Sequence, residues 1–210
     1  MATARKKRNP ELTSEQILTA ATQEFGERGF GGARVDNIAA RAGANKRMIY
    51  HYYGNKKQLF LAVLEAAYAE IRSHERELDL DHLEPIEAVR KLVAYTFTYF
   101  LEHPEFIRLL NNENLYDAVH IKSSKKIPKM HSPLVGQIEG VLARGQEAGI
   151  FRNGVDPVQL YISVAAVGYF YLSNASTLGT IFGRDLKTKK ALKERLDHIE
   201  GVILGYLRKE

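Results

Sequence analysis

The chain has 210 residues, 45% of them hydrophobic and 26% charged, which suits one large or two small soluble domains with a sizeable core. The absence of cysteine excludes disulfides, zinc–thiolate centres and cysteine nucleophiles. Its net charge of +5 is unevenly placed: residues 1–60 carry 11 Lys/Arg against 5 Asp/Glu, and the remaining 150 carry 19 against 20. That asymmetry predicts a polyanion-binding end joined to a neutral body.

Taken in chain order, the first segment is a basic run, Arg5-Lys6-Lys7-Arg8, with no apolar stretch behind it. It does not read as a secretory signal; residues 1–13 are expected to be a disordered basic arm that lies along DNA. Thr13 to Gln16 reads as a capping box, with Ile17, Leu18, Ala21 and Phe25 on one stripe of a helix ending near Arg28. A short second helix turns Val35, Ile38, Ala39 and Ala42 inward, and Gly43 stops it. Asn45 is a good N-cap for a third helix, to about Tyr52. Gly54-Asn55 turns and caps a long fourth helix that reaches Leu78. Pro85 opens a fifth, to Glu102, and Pro104 a sixth, through about Tyr116. Residues 121–130 read as a loop or short helix. Ser132-Pro133 predicts the start of helix seven, ending at Gly149, and Asp156-Pro157 the start of helix eight, closed by Gly179 and Gly183. Helix nine runs from about Asp185 to Leu207. No useful period-two run occurs, so the fold class is all-α, with about nine helices. The longest apolar stretch, Val158 to Leu172, is too short and too polar to span a bilayer, so a soluble, cytoplasmic protein with no membrane partner is expected.

The stretch between Asp36 and Glu65 has no acidic residue but holds Arg41, Lys46, Arg47, Lys56, Lys57 and His51. A solvated face usually mixes both signs. Two short helices about a glycine turn, with Ile38, Ala42, Ile49 and Tyr52 as the buried seam, describe a helix-turn-helix. The residues that such a fold does not need are Asn45, Lys46, Arg47, Met48, Tyr50 and His51. On a recognition helix, Arg47 can contact guanine through two bonds, Lys46 guanine or phosphate, and Met48 a thymine methyl. Tyr50 and His51 suit phosphate oxygens, and so does the start of helix four at Asn55 and Lys56.

Residues 14–60 resemble the DNA-binding domain of TetR-family transcriptional regulators. The resemblance rests on Ile17-Leu18-x-x-Ala21, Phe25, Gly29-Phe30, Val35-x-x-Ile38-Ala39-x-x-Ala42-Gly43 and Ile49-Tyr50-x-Tyr52-Tyr53-x-Asn55-Lys56-x-x-Leu59. It implies a helix-turn-helix domain at 14–60 and a helical effector-binding and dimerisation domain at 61–210. Helix two opens on Ala33-Arg34 where the family usually has hydroxyl residues, so Arg34 is expected to supply the phosphate contact by charge. Tyr53 replaces a usual Phe, and its hydroxyl needs a partner.

In the body, helix eight is apolar nearly all round and must be buried on several sides. The resemblance implies that helices eight and nine pair with their copies in a homodimer, so the double-stranded operator should be palindromic. It also implies a small-molecule effector. Candidate ligand residues are the aromatic and amide side chains Phe97, Phe100, Asn111, Asn114, Tyr116, Tyr169, Phe170 and Asn174, which suit a small aromatic or amphipathic molecule; each aromatic could equally be plain core. The seven histidines form no metal spacing, and no hydrolase, P-loop or dinucleotide fingerprint occurs, so no enzymatic activity, metal or cofactor is expected. The alternative reading is a non-specific architectural DNA binder without an effector, held by phosphate charge alone.

Overall fold

The computed structural model describes residues 10–209. The basic run at 5–8 lies outside the described residues; of the disordered arm expected at 1–13, residues 10–13 are described and are helical. The architecture is all-α: ten α-helices and two single 3-10 turns, with no strand among the described residues and one isolated antiparallel bridge between Phe151 and Arg208. No helix among the described residues is long and apolar enough to cross a membrane.

The described residues form two compact units. One contains the chain up to Tyr68 together with Arg108–Lys126; the other contains Ala69–Ile107 and Ile127 onward. A division by linear position at 60/61 therefore differs from the compact one, because a segment 40 residues downstream of Tyr68 returns to the first unit.

In the first unit, α1 (Pro10–Gly32) begins three residues before the expected Thr13 cap. Pro10 supplies that start: a proline at the first helical position has no N–H to leave unpaired. The helix is interrupted at Gly29, whose φ of 65° is left-handed, so the regular part ends at Arg28 as the glycine pattern predicts. A Cβ at Gly29 would also meet Asn112 Nδ2 at 2.5 Å. Helices α2 (Val35–Arg41) and α3 (Lys46–Tyr53) follow, and α2 packs on both α1 and α3. The turn between them carries Gly43 at φ 57°, a conformation a side chain resists. Ile17, Ala21, Phe25, Ile38, Ile49, Leu59 and Phe60 are buried in this unit, and the Phe25 and Phe60 rings meet edge to face with centroids 4.9 Å apart. Helix α4 (Lys56–Arg76) and helix α6 (Pro104–Leu115) each contribute residues to both units.

Between the candidate ligand residues Asn111 and Asn114 of α6, the two intervening side chains serve the chain's own backbone. Asn112 Oδ1 accepts from Phe30 N at 2.8 Å. Glu113, only 1% exposed, accepts from His120 N at 2.8 Å and Ile121 N at 2.9 Å through one oxygen, and from His120 Nδ1 at 2.7 Å through the other. This clasp closes a sharp reversal in which Asp117 and Ala118 both take positive φ.

The second unit is built on α5 (Pro85–Glu102), α8 (Pro157–Ser173) and α10 (Lys189–Leu207), which pack on one another. Its core joins Leu92, Val93 and Phe97 of α5 to Leu160 and Val164 of α8 and to Ile199, Ile203 and Leu207 of α10, with Leu134, Ile138 and Val141 from α7 (Lys126–Glu147). Three element boundaries differ from the sequence expectation. Helix α7 spans Lys126–Glu147, so Ser132-Pro133 lies inside it and is no N-cap pair. Ser124 Oγ accepts from Lys126 N at 3.2 Å and starts the helix earlier; exposed Pro133 gives up one backbone bond whose orphan carbonyl can meet water. The expected helix eight is two helices, α8 and α9 (Ala175–Phe182), broken at Asn174 with φ −108° and ψ 9°. Asn174 Nδ2 donates to Phe170 O at 2.9 Å, a local bond that competes with helix continuation. Helix α10 starts four residues later than expected, where Thr188 Oγ1 accepts from Ala191 N at 3.1 Å.

Candidate nucleic-acid interface

Helix α3 owes its position to one cap and one anchor. Asn45 is extended, at φ −109° and ψ 159°, and its Oδ1 accepts from Met48 N at 2.9 Å. Ile49 is 1% exposed and holds the inner face. The hydroxyl of Tyr53 finds the partner that the sequence demands: it donates to Ser14 O at 2.9 Å and lies 2.9 Å from Ser14 Oγ, tying the end of α3 to α1.

What remains outward is the set read from the sequence. Lys46, Arg47, Tyr50 and His51 are exposed and Met48 is half-buried. Arg47, Tyr50 and His51 stand three and four residues apart, so they share one face. Among the described residues Arg47 has no side-chain partner, whereas Lys46 pairs with Asp36 at 3.1 Å. His51 lies edge-on to Tyr52 with ring centroids 5.4 Å apart. Arg34 is exposed immediately before α2. Arg41 is already engaged: it donates to both oxygens of Glu27, at 3.0 and 2.6 Å, and stands 3.4 Å from Glu24. Those bonds hold the Glu27 carboxyl below its ordinary value.

At the start of α4, Asn55 Oδ1 accepts from Gln58 N at 3.0 Å, leaving a capped helix N-terminus beside Lys56 and Lys57. The Lys56 ammonium sits 4.9 Å over the Phe30 ring. Burial pulls it below the usual lysine value, against the opposing charge of Glu24. Lys56 is therefore held in place by packing rather than free in solvent.

The residue that the sequence reading missed is Glu24. It is 1% exposed on α1, and its Oε1 accepts from Arg34 N at 3.1 Å and from Asn37 Nδ2 at 2.9 Å. It thus caps α2 from another helix. One acidic residue beside Phe25 carries no local signal of this, because its partners lie 10 and 13 residues on.

The candidate ligand residues are dispersed. Phe97 and Phe100 are buried, with Phe100 against Tyr169 at 6.3 Å between centroids. Phe170 is 58% exposed and faces no interior; Asn174 is occupied in the break between α8 and α9. Asn111 is half-buried and Asn114 is exposed. Tyr116, at 40% exposure, packs edge-on to Phe30 at 5.8 Å.

Residues 17–63, which hold α2, α3 and the basic side chains around them, match the family described as bacterial regulatory proteins, tetR family, and residues 85–203 match the tetracyclin repressor-like C-terminal domain. The chain is also 37% identical over 199 residues to the HTH-type transcriptional repressor NicS of Pseudomonas putida, covering 95% of this chain and 94% of that protein. It belongs to the TetR family. A second TetR-type relative, the HTH-type transcriptional repressor SCO4008 of Streptomyces coelicolor, is 33% identical over 77% of this chain and 80% of its own length. The fold is shared with the fatty acid degradation regulator FadR from Bacillus halodurans at a TM-score of 0.71 and 21% identity, over 98% of this chain and all of that one. As a TetR-family protein it is a helix-turn-helix, DNA-binding regulator of transcription.

Proposed function

We propose that this TetR-family regulator is a repressor that binds a palindromic operator as a homodimer and releases it on binding a small aromatic or amphipathic effector. Residues 14–60 read the DNA, and residues 61–210 bind the effector and dimerise. The observation that carries the reading is the outer face of α3. Arg47, Tyr50 and His51 project from a helix anchored by Ile49 and capped by Asn45, and Arg47 has no partner among the described residues. A recognition helix enters the major groove with such a face. Arg34, Lys46 and Met48 flank it, and Lys56 stands at the start of α4, where backbone N–H groups can hold a phosphate. Lys46 exchanges Asp36 for a phosphate or base on binding.

Dimerisation is supported by large apolar side chains left in solvent. Val158, Ile162 and Phe170 of α8 are 44%, 50% and 58% exposed at multiples of four residues, and Val202 and Tyr206 of α10 are each 44% exposed. Contiguous apolar faces of this kind mark interaction surfaces. Both named relatives carry the word repressor, which favours that sign here.

The test is selection of protein-bound fragments from random duplex DNA. An inverted repeat with half-sites about one helical turn apart is expected. Recovery of fragments with no common sequence would favour an architectural binder instead.

A further inference from the structure

The second unit buries a charge that an apolar core has no use for. Arg72 of α4 is 4% exposed and Glu75, one turn on, is 1% exposed. Nη1 of Arg72 lies 2.7 Å from Glu75 Oε2, but off the hydrogen-bond direction. Nε and Nη1 of Arg72 and both oxygens of Glu75 therefore have no hydrogen-bond partner. Only Nη2 is met, donating to the Tyr161 hydroxyl at 2.8 Å. A guanidinium stays charged at any physiological pH, and buried donors without acceptors are rare in folded proteins unless something outside the chain supplies them. The surroundings are aromatic: the guanidinium lies 5.2 Å over the Tyr161 ring, and that ring meets His131 edge-on at 6.4 Å. Tyr95 donates to Ile71 O at 3.3 Å, next to Arg72 in the chain.

We infer that Arg72 anchors the effector, and that the effector is a small aromatic monocarboxylate whose carboxylate takes Nη1 in place of Glu75 while its ring lies against Tyr161 and His131. This rests on the effector-responsive reading above. The carboxylate displaces Glu75 from Nη1, where an ionised acceptor makes a charge-assisted bond to the guanidinium.

Glu75 makes the exchange possible. Burial pushes its carboxyl up to about 7 against the opposing pull of Arg72, so it can yield the guanidinium by taking a proton. An anion arriving beside Glu75 favours the protonated form. Binding therefore takes up a proton and weakens as pH rises above about 7. The other groups facing the pair keep their charge in that range. Burial raises the Tyr95 and Tyr161 phenols, on α5 and α8, and lowers His131 on α7, so all three are neutral. Glu70 of α4 and Glu77, just past its end, are exposed.

The experiment titrates the full chain calorimetrically with benzoate, its hydroxylated analogues, the matching benzamides and benzylamine, at pH 6.5, 7.5 and 8.5. At least one acid is expected to bind ten times more tightly than its amide, with affinity falling up to tenfold between the two higher pH values. Glu75→Gln should keep acid binding and lose the pH dependence. Arg72→Met should lose acid binding while retaining its helical circular dichroism; should that variant not fold, Glu75→Gln alone decides. No binding by any acid, equal binding of amide or amine, or an undiminished pH slope in Glu75→Gln overturns the assignment. Operator release is measured separately. An acid that binds at Arg72 yet leaves operator affinity unchanged upholds the carboxylate site and sinks the effector reading. A releasing compound indifferent to Arg72→Met does the reverse.

Discussion

Glu24 offers the sharpest check on how α2 and α3 are held. Its carboxylate accepts the Arg34 N–H at the start of α2, accepts Asn37 Nδ2, and stands 3.4 Å from Arg41. Glu24→Ala removes all three. A lost hydrogen bond to a charged acceptor costs about 1.5–3 kcal/mol. A buried charge facing a helix N-terminus adds about 0.3–1 kcal/mol. Asn37 is exposed and recovers water, and Arg41 keeps both bonds to Glu27, so neither adds much. Glu24→Ala should therefore destabilise by about 2–4 kcal/mol. Glu24→Gln keeps one carbonyl acceptor for Arg34 N and loses only the charge, for about 1 kcal/mol. The assay is urea unfolding followed by circular dichroism, with operator titration at a temperature where each variant is folded. Because α2 packs on α3, Glu24→Ala should also weaken operator binding. Midpoints within about 0.5 kcal/mol of the parent for both variants, the usual range for an inconsequential surface change, would refute the capping role.

Five further outcomes are expected. Arg47→Ala should cost about 1–3 kcal/mol on the selected operator and relax one base preference, with little change on random duplex; equal losses on both would remove it from base reading. Lys56→Met, which keeps packing on Phe30, should weaken all duplexes alike and reduce the salt slope by about 1 in a polarisation titration. Asp36→Asn frees Lys46 and should tighten binding to every duplex severalfold, with thermal stability unchanged, since exposed ion pairs contribute about 0–1 kcal/mol. Phe170→Asp should give a monomer by light scattering and lose operator affinity, and Tyr53→Phe should cost about 1 kcal/mol in urea through loss of the Ser14 contacts.

Much of the interface could be read from the chain because its determinants are local. A cap such as Asn45 acts over three residues, a turn glycine such as Gly43 over one, and the outward face of α3 follows from helical spacing around Ile49. The acid-free stretch from 37 to 64 was visible as composition, and its basic side chains stand exposed except for the half-buried Lys56. Composition did not reveal which cations are spoken for. Arg41 is consumed by Glu27 and Lys46 by Asp36, partners 14 and 10 residues away. The boundaries of α7 and the break at Asn174 were misjudged for a related reason: Ser132-Pro133 is a sound local start signal, but Ser124 Oγ had already started the helix.

The amino-acid order alone thus determined the helical class, the helix-turn-helix and which side chains of α3 stand outward, because periodicity, capping and charge act within one or two turns. Tertiary structure decided which polar groups are used up within the chain and which are left over. Glu24, Asn112 and Glu113 are taken by distant backbone, whereas Arg72 and Glu75 are sealed in with unmet donors and acceptors. Hydrogen-bond satisfaction inside a core depends on what lies across the fold, and sequence spacing does not encode that.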